Sequence, residues 1–359
     1  MDESRRSGGS RDLPEQPVYI GARPKVPVDS AQDDNNLHAE CGHGNGPQAL
    51  AELGWAALPP EYRIPERPPS LAEAQAYCRR LAESHYENFH VASWFLPKRL
   101  QPHFHSIYAY CRISDDLGDE VGNPEQSLAL LDVWGRELDA CYRGETRHPV
   151  FVALAETIRA CEIPQKPFAD LLTAFRQDQT VTRFPAIEDL LHYSRYSANP
   201  VGHLVLYACG YRDAERFALS DETCTGLQLA NFWQDVRRDY AKGRIYLPLD
   251  DMQRFGVEES VIAGGAVTPG FRALLHHEVD YTRRMLLRGM PLWGMVDRDL
   301  ALDLELFSRG GLEILRAIER KDYDVLCSRP AITKSRKLGL LLLALSRKLL
   351  PRSGGGNAA

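Results

Sequence analysis

Two stretches of the sequence place polar side chains at helical spacing within otherwise apolar surroundings. They are IYAYCRISDDLGDE at 107–120 and LQLANFWQDVRRDYAKGRIYLP at 227–248. On an α-helix, residues three or four positions apart share one face. One face of the first stretch therefore carries Tyr108, Arg112, Asp115 and Asp119, and one face of the second carries Gln228, Asn231, Asp235 and Asp239. Asp116 lies about 100° round the first helix from Asp115.

The acidic members of these stretches predict a site for a divalent cation. Like charges one helical turn apart repel each other, and apolar surroundings raise their pKa unless a cation compensates them. Mg²⁺ takes oxygen ligands and shares its other positions with water and substrate phosphates. We name two acid rows, which together predict a cage for Mg²⁺ and a diphosphate: the first is Asp115, Asp116 and Asp119, and the second is Asn231, Asp235 and Asp239.

The cationic side chains near the rows do not remove this charge. Arg237 and Arg238 lie off the second face, and Arg112 can balance only part of the first row. A single D-x-x-x-D on a helix is usually a solvated surface, so neither row is informative alone. The presence of both rows in one helical chain favours a functional site.

The composition restricts the class of protein. The chain has 359 residues, a formal charge of −6 and a pI near 6.0, which argues against a nucleic-acid partner. Eight cysteines without a C-x-x-C pair predict reduced thiols in the cytoplasm. The N-terminus has no apolar signal region, and the run LGLLLLAL at 338–345 is too short to cross a bilayer.

Helical periodicity extends over almost the whole chain after residue 70, so the predicted fold class is all-α. Residues 1–60 are rich in Gly, Pro, Asp and Asn and are predicted to be a disordered tail. Ser70 and Glu73 form a predicted capping box at the start of one domain over 70–350. Helices are predicted at 71–92, 97–120, 124–143, 148–161, 165–178, 186–196, 199–209, 213–241, 269–289, 298–324 and 331–350.

Both acidic stretches resemble the two aspartate-rich motifs of the squalene/phytoene synthase family, the head-to-head prenyl synthases. The resemblance runs over about 80–345 and includes HYENFHVASWFLP at 85–97 and YSRYSANPVG at 193–202. It implies the isoprenoid synthase fold, a single bundle of about ten helices around a central cavity. It also implies that both acid rows hold Mg²⁺ ions that bridge to a prenyl diphosphate.

The resemblance implies further roles for single residues. Tyr193 matches a tyrosine near the reacting carbocation, and it could also be an ordinary buried tyrosine. Residues that match positions near the substrate are Tyr108, Arg112, Gln228, Lys242, Arg244, Tyr246, Arg329 and Phe89. Aromatic residues expected to line the cavity are Phe89, Phe95, Tyr193, Phe232 and Trp233.

Departures from the usual family pattern narrow the expected reaction. The chain has Gln234 before Asp235, Arg238 before the final aspartate, and Ala-Asn-Pro-Val-Gly at 198–202. These changes resemble the bacterial hydroxysqualene synthase branch, labelled HpnC, which acts on presqualene diphosphate in hopanoid pathways. The implied reaction is capture of a rearranged cation by water. The alternatives are formation of presqualene diphosphate, or squalene or phytoene synthesis from farnesyl or geranylgeranyl diphosphate.

The C-terminal stretch KSRKLGLLLLALSRKLLPR at 334–352 combines basic flanks with a leucine-rich centre. It could lie at the inner face of a membrane or dock on the core as a final helix. A peripheral membrane contact and an association with pathway enzymes are therefore expected alternatives to a purely cytoplasmic protein. A different class of function, a helical scaffold at the membrane surface, also fits this stretch.

Overall fold

The computed structural model describes residues 46–84 and 97–333, together with Arg336 and Gly339. These residues form thirteen α-helices, two short 3₁₀ helices and no strand, which confirms the all-α prediction. The α-helices are, in order, α1 Pro47–Ala56, α2 Leu71–Ser84, α3 Gln101–Asp119, α4 Pro124–Tyr142, α5 Pro149–Cys161, α6 Lys166–Gln177, α7 Ile187–Ser197, α8 Asn199–Ala208, α9 Ala214–Ala241, α10 Leu249–Arg254, α11 Glu259–Gly264, α12 Pro269–Gly289 and α13 Arg298–Arg320.

Most predicted helices are present, and the differences have local causes. Helix α3 begins at Gln101 rather than at 97 because residues 98–100 form a turn. Helix α13 ends at Arg320 rather than at 324 because Asp322 and Tyr323 adopt left-handed φ angles of 52° and 61°. The short helices α10 and α11 lie where no helix was predicted, and the predicted helix 331–350 falls almost entirely outside the described residues.

Side-chain caps fix several helix starts. At the start of α2, the Ser70 backbone N–H donates to Glu73 Oε2 at 2.8 Å, which is half of the predicted capping box. The Glu73 N–H in turn donates to Ser70 Oγ at 3.4 Å. Asn123 Oδ1 accepts the N–H groups of residues 125 and 126 at the start of α4. These caps satisfy N–H groups that have no partner within the helix.

The predicted disordered tail over 1–60 is wrong for residues 46–60. Helix α1 and the following turn pack on α4, and they bury Trp55, Leu58 and Tyr62 in the core. A Cβ at Gly54 would lie 2.7 Å from the Leu130 side chain, so α1 approaches α4 closely. A few large apolar side chains stabilise this segment despite its polar average composition. Residues 1–45 lie outside the described part of the chain.

The hydrophobic core of the described residues has two large clusters and a small third one around Leu206 and Leu292, and the two acid rows lie on helices that belong to different large clusters. Helix α3 contributes Ile113 and Leu117 to the first cluster, which also contains residues of α1, α2, α4, α5, α6 and α8. Helix α9 contributes Leu229 and Trp233 to the second cluster, with α7 and α10–α13. The polar faces of α3 and α9 are therefore positioned by two different clusters of the core.

Helix α9 is in backbone contact with α12. A Cβ at Gly289 would lie 3.0 Å from the carbonyl oxygen of Leu219 and 3.0 Å from the backbone nitrogen of Thr223. Nearer the acid row, a Cβ at Gly226 would lie 2.8 Å from the Leu286 side chain. A side chain larger than that of glycine would not fit at this separation of α9 and α12. Gly226 and Gly289 therefore help to set the position of α9, which carries the second row.

The break between α7 and α8 falls at Ala198, the first residue of the Ala-Asn-Pro-Val-Gly stretch. Asn199 Oδ1 accepts a hydrogen bond from Thr225 Oγ1 of α9 at 2.8 Å, so Asn199 ties α8 to α9. No helix among the described residues is both long and apolar enough to span a bilayer.

Candidate active site

The first acid row lies on the C-terminal half of α3, where Asp116 is buried and Asp115 and Asp119 are partly exposed. Asp115 and Asp119 are one helical turn apart. Burial, together with the Asp119 carboxylate, raises the pKa of Asp115 to about 8. The Arg112 guanidinium acts in the opposite direction, with Nη1 at 3.7 Å from Asp115 Oδ2. Arg112 therefore does not offset the burial and the like charge that make ionisation of Asp115 unfavourable.

Asp116, the third member of the first row, is bound on both carboxylate oxygens. It is 4% exposed. Arg112 donates from Nε to Oδ2 at 2.9 Å and from Nη2 to Oδ1. The hydroxyl of Tyr62 donates to the same Oδ2 at 2.8 Å. The sequence did not indicate Tyr62, because it lies 54 residues before Asp116, between the predicted tail that ends at residue 60 and the predicted domain that begins at residue 70.

In the second row, Asp235 is paired with an arginine in the same way. Arg329 donates from Nε to Oδ1 at 2.6 Å and from Nη2 to Oδ2 at 2.8 Å. Gln234 accepts from Arg329 Nη2 at 2.8 Å and donates to the carbonyl oxygen of Pro330 at 2.6 Å. Gln234 therefore helps to hold Arg329. The more exposed Arg238 lies 3.8 Å from Asp235.

Asp239, at the end of the second row, is less well compensated. Burial and the Asp235 carboxylate raise the pKa of Asp239 to about 7. Lys242, Arg244 and Arg329 lower it, but they do not cancel the increase. Asp115 and Asp239 are thus the two row members with strongly raised pKa values.

Arg244 joins the two rows. Its backbone N–H donates to the Asp239 carbonyl oxygen at 2.9 Å, at the end of α9. Its guanidinium Nη2 lies 3.2 Å from Asp119 Oδ1 and 3.4 Å from the carbonyl oxygen of Asp178. The C-terminal ends of the two rows are therefore separated by about the reach of one arginine side chain.

A cluster of four aromatic side chains, Phe184, Tyr193, Phe232 and Tyr246, lies beside this junction. Tyr246 stacks on Phe232 with a ring separation of 3.7 Å and an angle of 7°. Tyr193 lies 6.4 Å from both of these rings and 5.4 Å from Phe184. The aromatic cluster is thus continuous with the polar site, because Tyr246 follows Arg244 by two residues.

Asp178 is a further carboxylate at the junction that the sequence did not indicate. It follows the end of α6 and accepts the Tyr193 hydroxyl on Oδ2 at 3.0 Å. Burial raises the pKa of Asp178 to about 6, although Arg244 and the Tyr193 hydroxyl lower it. No spacing pattern marks Asp178, since its partners come from other parts of the chain.

The remaining predicted residues are distributed around this site. Tyr108 lies one turn before Arg112 on α3, and burial raises its pKa to about 12. Gln228 and Lys242 lie half-buried at the two ends of the second row. Trp233 points away from the row and donates to Thr282 Oγ1 at 2.7 Å, so it belongs to the core and not to the aromatic cluster. Phe89 and Phe95 lie outside the described residues.

The donor atoms of the rows suit a hard divalent cation. Carboxylate oxygens and the Asn231 amide oxygen are the ligands that Mg²⁺ prefers, and Mg²⁺ commonly uses only one or two carboxylates with phosphate and water. Within 46–84 and 97–333, no three His, Cys, Asp or Glu side chains converge on one point. Burial and a neighbouring carboxylate disfavour the ionised forms of Asp115 and Asp239, and a bound cation would favour those forms.

Comparison with known proteins gives a consistent result. A family model described as squalene/phytoene synthase matches residues 82–336. A 15-cis-phytoene synthase of Synechococcus elongatus is 28% identical over 79% of this chain and 97% of its own length. A hydroxysqualene synthase of Rhodopseudomonas palustris is 33% identical over 66% of this chain and 80% of its own length.

Solved structures with the same fold are similar to most of the chain. Squalene synthase HpnC from Alicyclobacillus acidocaldarius has a TM-score of 0.69 and 43% identity, covering 76% of this chain and 99% of its own. A dehydrosqualene synthase in complex with a ligand has a TM-score of 0.71 and 26% identity, covering 78% of this chain and 98% of its own. These similarities confirm the expected isoprenoid synthase fold.

Proposed function

Because the chain belongs to the squalene/phytoene synthase family, we propose that it converts presqualene diphosphate and water to hydroxysqualene and diphosphate. The junction at Arg244 supports this proposal most strongly, because acidic side chains and an arginine meet there beside an aromatic cluster. The 43% identity to HpnC and the 33% identity to a hydroxysqualene synthase support this reaction within the family.

In this proposal the acid rows divide into two kinds of residue. Asp115, Asp119, Asn231 and Asp239 would hold Mg²⁺, which neutralises and orients the diphosphate leaving group. Asp116 and Asp235 hold Arg112 and Arg329 in place, so we assign them an indirect role rather than the direct metal contact first expected. The cationic groups at the diphosphate are Arg112, Lys242 and Arg244.

The reaction begins when the carbon–oxygen bond of presqualene diphosphate breaks and its electron pair leaves with the diphosphate. Positive side chains stabilise the charge that develops on the leaving group. The faces of Phe232 and Tyr246 attract the cyclopropylcarbinyl cation, which rearranges in surroundings that exclude most water. One water molecule then adds its oxygen to the rearranged cation and releases a proton. Asp178 orients Tyr193 beside this reaction.

The test is mass spectrometry of the product formed by the full-length chain with Mg²⁺. Presqualene diphosphate should give hydroxysqualene, and reaction in H₂¹⁸O should add about two mass units, since the oxygen comes from water. Asp115→Asn should give no product under the same conditions. Absence of product from presqualene diphosphate would refute the proposal.

A second candidate function is a condensation of two smaller prenyl diphosphates. It is favoured by the phytoene synthase of Synechococcus elongatus, of which the match covers 97%. The same assay with farnesyl or geranylgeranyl diphosphate, each with and without NADPH, separates the candidates. Squalene, phytoene or presqualene diphosphate formed from these substrates alone would establish the second candidate.

A further inference from the structure

Tyr62 reaches the first acid row from a segment that precedes the family match. The match begins at residue 82, whereas Tyr62 ends the 3₁₀ helix that follows α1. Its side chain is 4% exposed, and its hydroxyl donates to Asp116 Oδ2 at 2.8 Å. The Tyr62 hydroxyl is the donor in this contact, because an ionised carboxylate oxygen can only accept.

The contact extends through Asp116 to the candidate diphosphate site. Asp116 Oδ2 also accepts Arg112 Nε at 2.9 Å, so one oxygen carries two donors. The second arm of the Arg112 guanidinium lies 3.7 Å from Asp115 Oδ2. Tyr62, Asp116 and Arg112 therefore form a chain of hydrogen bonds that ends beside Asp115.

The backbone of this segment is held independently of that contact. Helix α1 docks on α4 at Gly54 and Leu130. The hydroxyl of Tyr77 on α2 donates to the carbonyl oxygen of Glu61 at 3.0 Å, next to Tyr62 in sequence. The Tyr62 hydroxyl is thus presented to Asp116 by a segment with its own packing, which makes it a fixed support.

We propose that Tyr62 is a positioning residue that fixes the Asp116 carboxylate and, through it, the Arg112 guanidinium for binding the diphosphate of the substrate. The substrate named here rests on the proposed function. Tyr62 itself does not contact the substrate. A buried carboxylate oxygen that loses one of two donors holds its remaining partner in a less defined geometry.

The experiment compares Tyr62→Phe with Tyr77→Phe in the full-length chain. Both variants lose one hydroxyl that anchors the same segment, but only Tyr62 contacts Asp116. We expect Tyr62→Phe to raise KM for presqualene diphosphate about tenfold with a smaller change in kcat, because Arg112 faces the diphosphate rather than the reacting carbon. Tyr77→Phe should leave KM unchanged, and the two variants should have similar melting temperatures.

A double-variant cycle tests whether Tyr62 acts through Asp116. Asp116→Asn should raise KM at least as much as Tyr62→Phe, and combining the two should add little, because both remove the same support. Independent, additive effects would overturn the proposal. An unchanged KM in Tyr62→Phe, or an equal increase in Tyr77→Phe, would also overturn it.

A binding measurement separates this inference from the proposed function. Calorimetric titration of the wild-type chain and of both tyrosine variants with inorganic pyrophosphate and Mg²⁺ requires no turnover. Weaker binding in Tyr62→Phe alone supports the positioning role even if no prenyl diphosphate is converted. Equal affinity in all three proteins, with normal wild-type turnover, refutes the positioning role and leaves the proposed function intact.

Discussion

Each acid row contains a buried carboxylate that needs a cationic partner, and the two rows take that partner from different parts of the chain. Each has one deeply buried carboxylate paired with an arginine on both oxygens. In the first row, the arginine is on the same helix, four residues before Asp116. In the second row, it is Arg329, which is 94 residues from Asp235 in sequence. The first row is therefore nearly complete within α3, whereas the second requires the segment after α13.

Within each row, one carboxylate is paired with an arginine and another is less well compensated. The paired carboxylates, Asp116 and Asp235, hold arginine side chains by hydrogen bonds, and in the proposed function Asp115 and Asp239 bind the cation. The first pairing has additional support from Tyr62, and the second has support from Gln234. Substitutions should therefore lower kcat mainly at the less compensated carboxylates, and should affect stability or substrate binding at the arginine-paired ones.

The largest effect is expected on activity at the less compensated positions. Asp115→Asn and Asp239→Asn should each lower kcat about 1000-fold or more, because charge stabilisation at the leaving group is lost. Their stability should be unchanged or higher, because the raised pKa values show that the ionised forms are unfavourable in the fold. Steady-state kinetics and urea unfolding measure both effects.

The control for these variants is Asp132→Asn, at a carboxylate on α4 with a side chain 60% exposed. It should retain wild-type kcat and stability. Normal turnover in Asp115→Asn or Asp239→Asn would contradict the division of the rows.

A large effect on stability is expected at Arg329. Arg329→Met leaves Asp235, which is 2% exposed, without its main partner, and should lower the free energy of unfolding by about 3–5 kcal/mol. Arg112→Met should cost less, since Tyr62 still donates to Asp116. Urea unfolding at pH 7 measures these changes.

Arg238→Met is the matched control for Arg329→Met. Its side chain is 45% exposed and 3.8 Å from Asp235, so the loss should be less than about 1 kcal/mol. Equal stability of Arg329→Met and Arg238→Met would contradict the conclusion that the pairing of Asp235 with Arg329 stabilises the second row.

A smaller effect is expected at Glu278, a buried carboxyl group on α12 that belongs to neither row. Burial and the nearby Asp251 raise its pKa from 4.5 to about 8. The folded chain therefore binds this proton more tightly than the unfolded chain, and its contribution to stability falls as pH rises from about 4.5 to about 8. Charged groups near Asp251 include Arg254 and His277.

Glu278→Gln removes this titration. Between pH 6 and pH 9 the free energy of unfolding should therefore fall less in the variant than in the wild type, by on the order of 2 kcal/mol. Urea unfolding across this pH range measures the difference, with and without Mg²⁺. The difference should not depend on Mg²⁺, unlike any pH dependence that arises in the rows. Parallel pH profiles for the two proteins would contradict the raised pKa.

The part of the site that follows helical spacing could be predicted from the sequence. Asp115, Asp119, Asp235 and Asp239 lie at the predicted positions on α3 and α9, because each set is local to one helix. Only the resemblance placed Arg244 and Arg329 near the site, and the sequence did not indicate their contacts with the rows. Their partners are 125 and 94 residues away, and spacing carries no information about such distances.

The residues that the sequence did not indicate, Tyr62 and Asp178, share one property. Each contacts the site from a segment without a polar repeat of its own, one after α1 and one after α6. The prediction of a tail up to residue 60 failed for a related reason. Average composition conceals Trp55 and Leu58, whose burial depends on a surface of α4 that only the folded chain presents.

The glycine contacts between α9 and α12 limit how the second row can move. At Gly289 the two helices already touch through their backbones, so no side-chain replacement can bring them closer. A residue larger than glycine at Gly289 would meet the Leu219 carbonyl oxygen and the Thr223 backbone nitrogen, so the separation of α9 from α12 would have to increase there. The distance between these two helices is thus bounded by main-chain atoms, which makes the placement of α9 a property of the scaffold and insensitive to the identity of the acids that it carries.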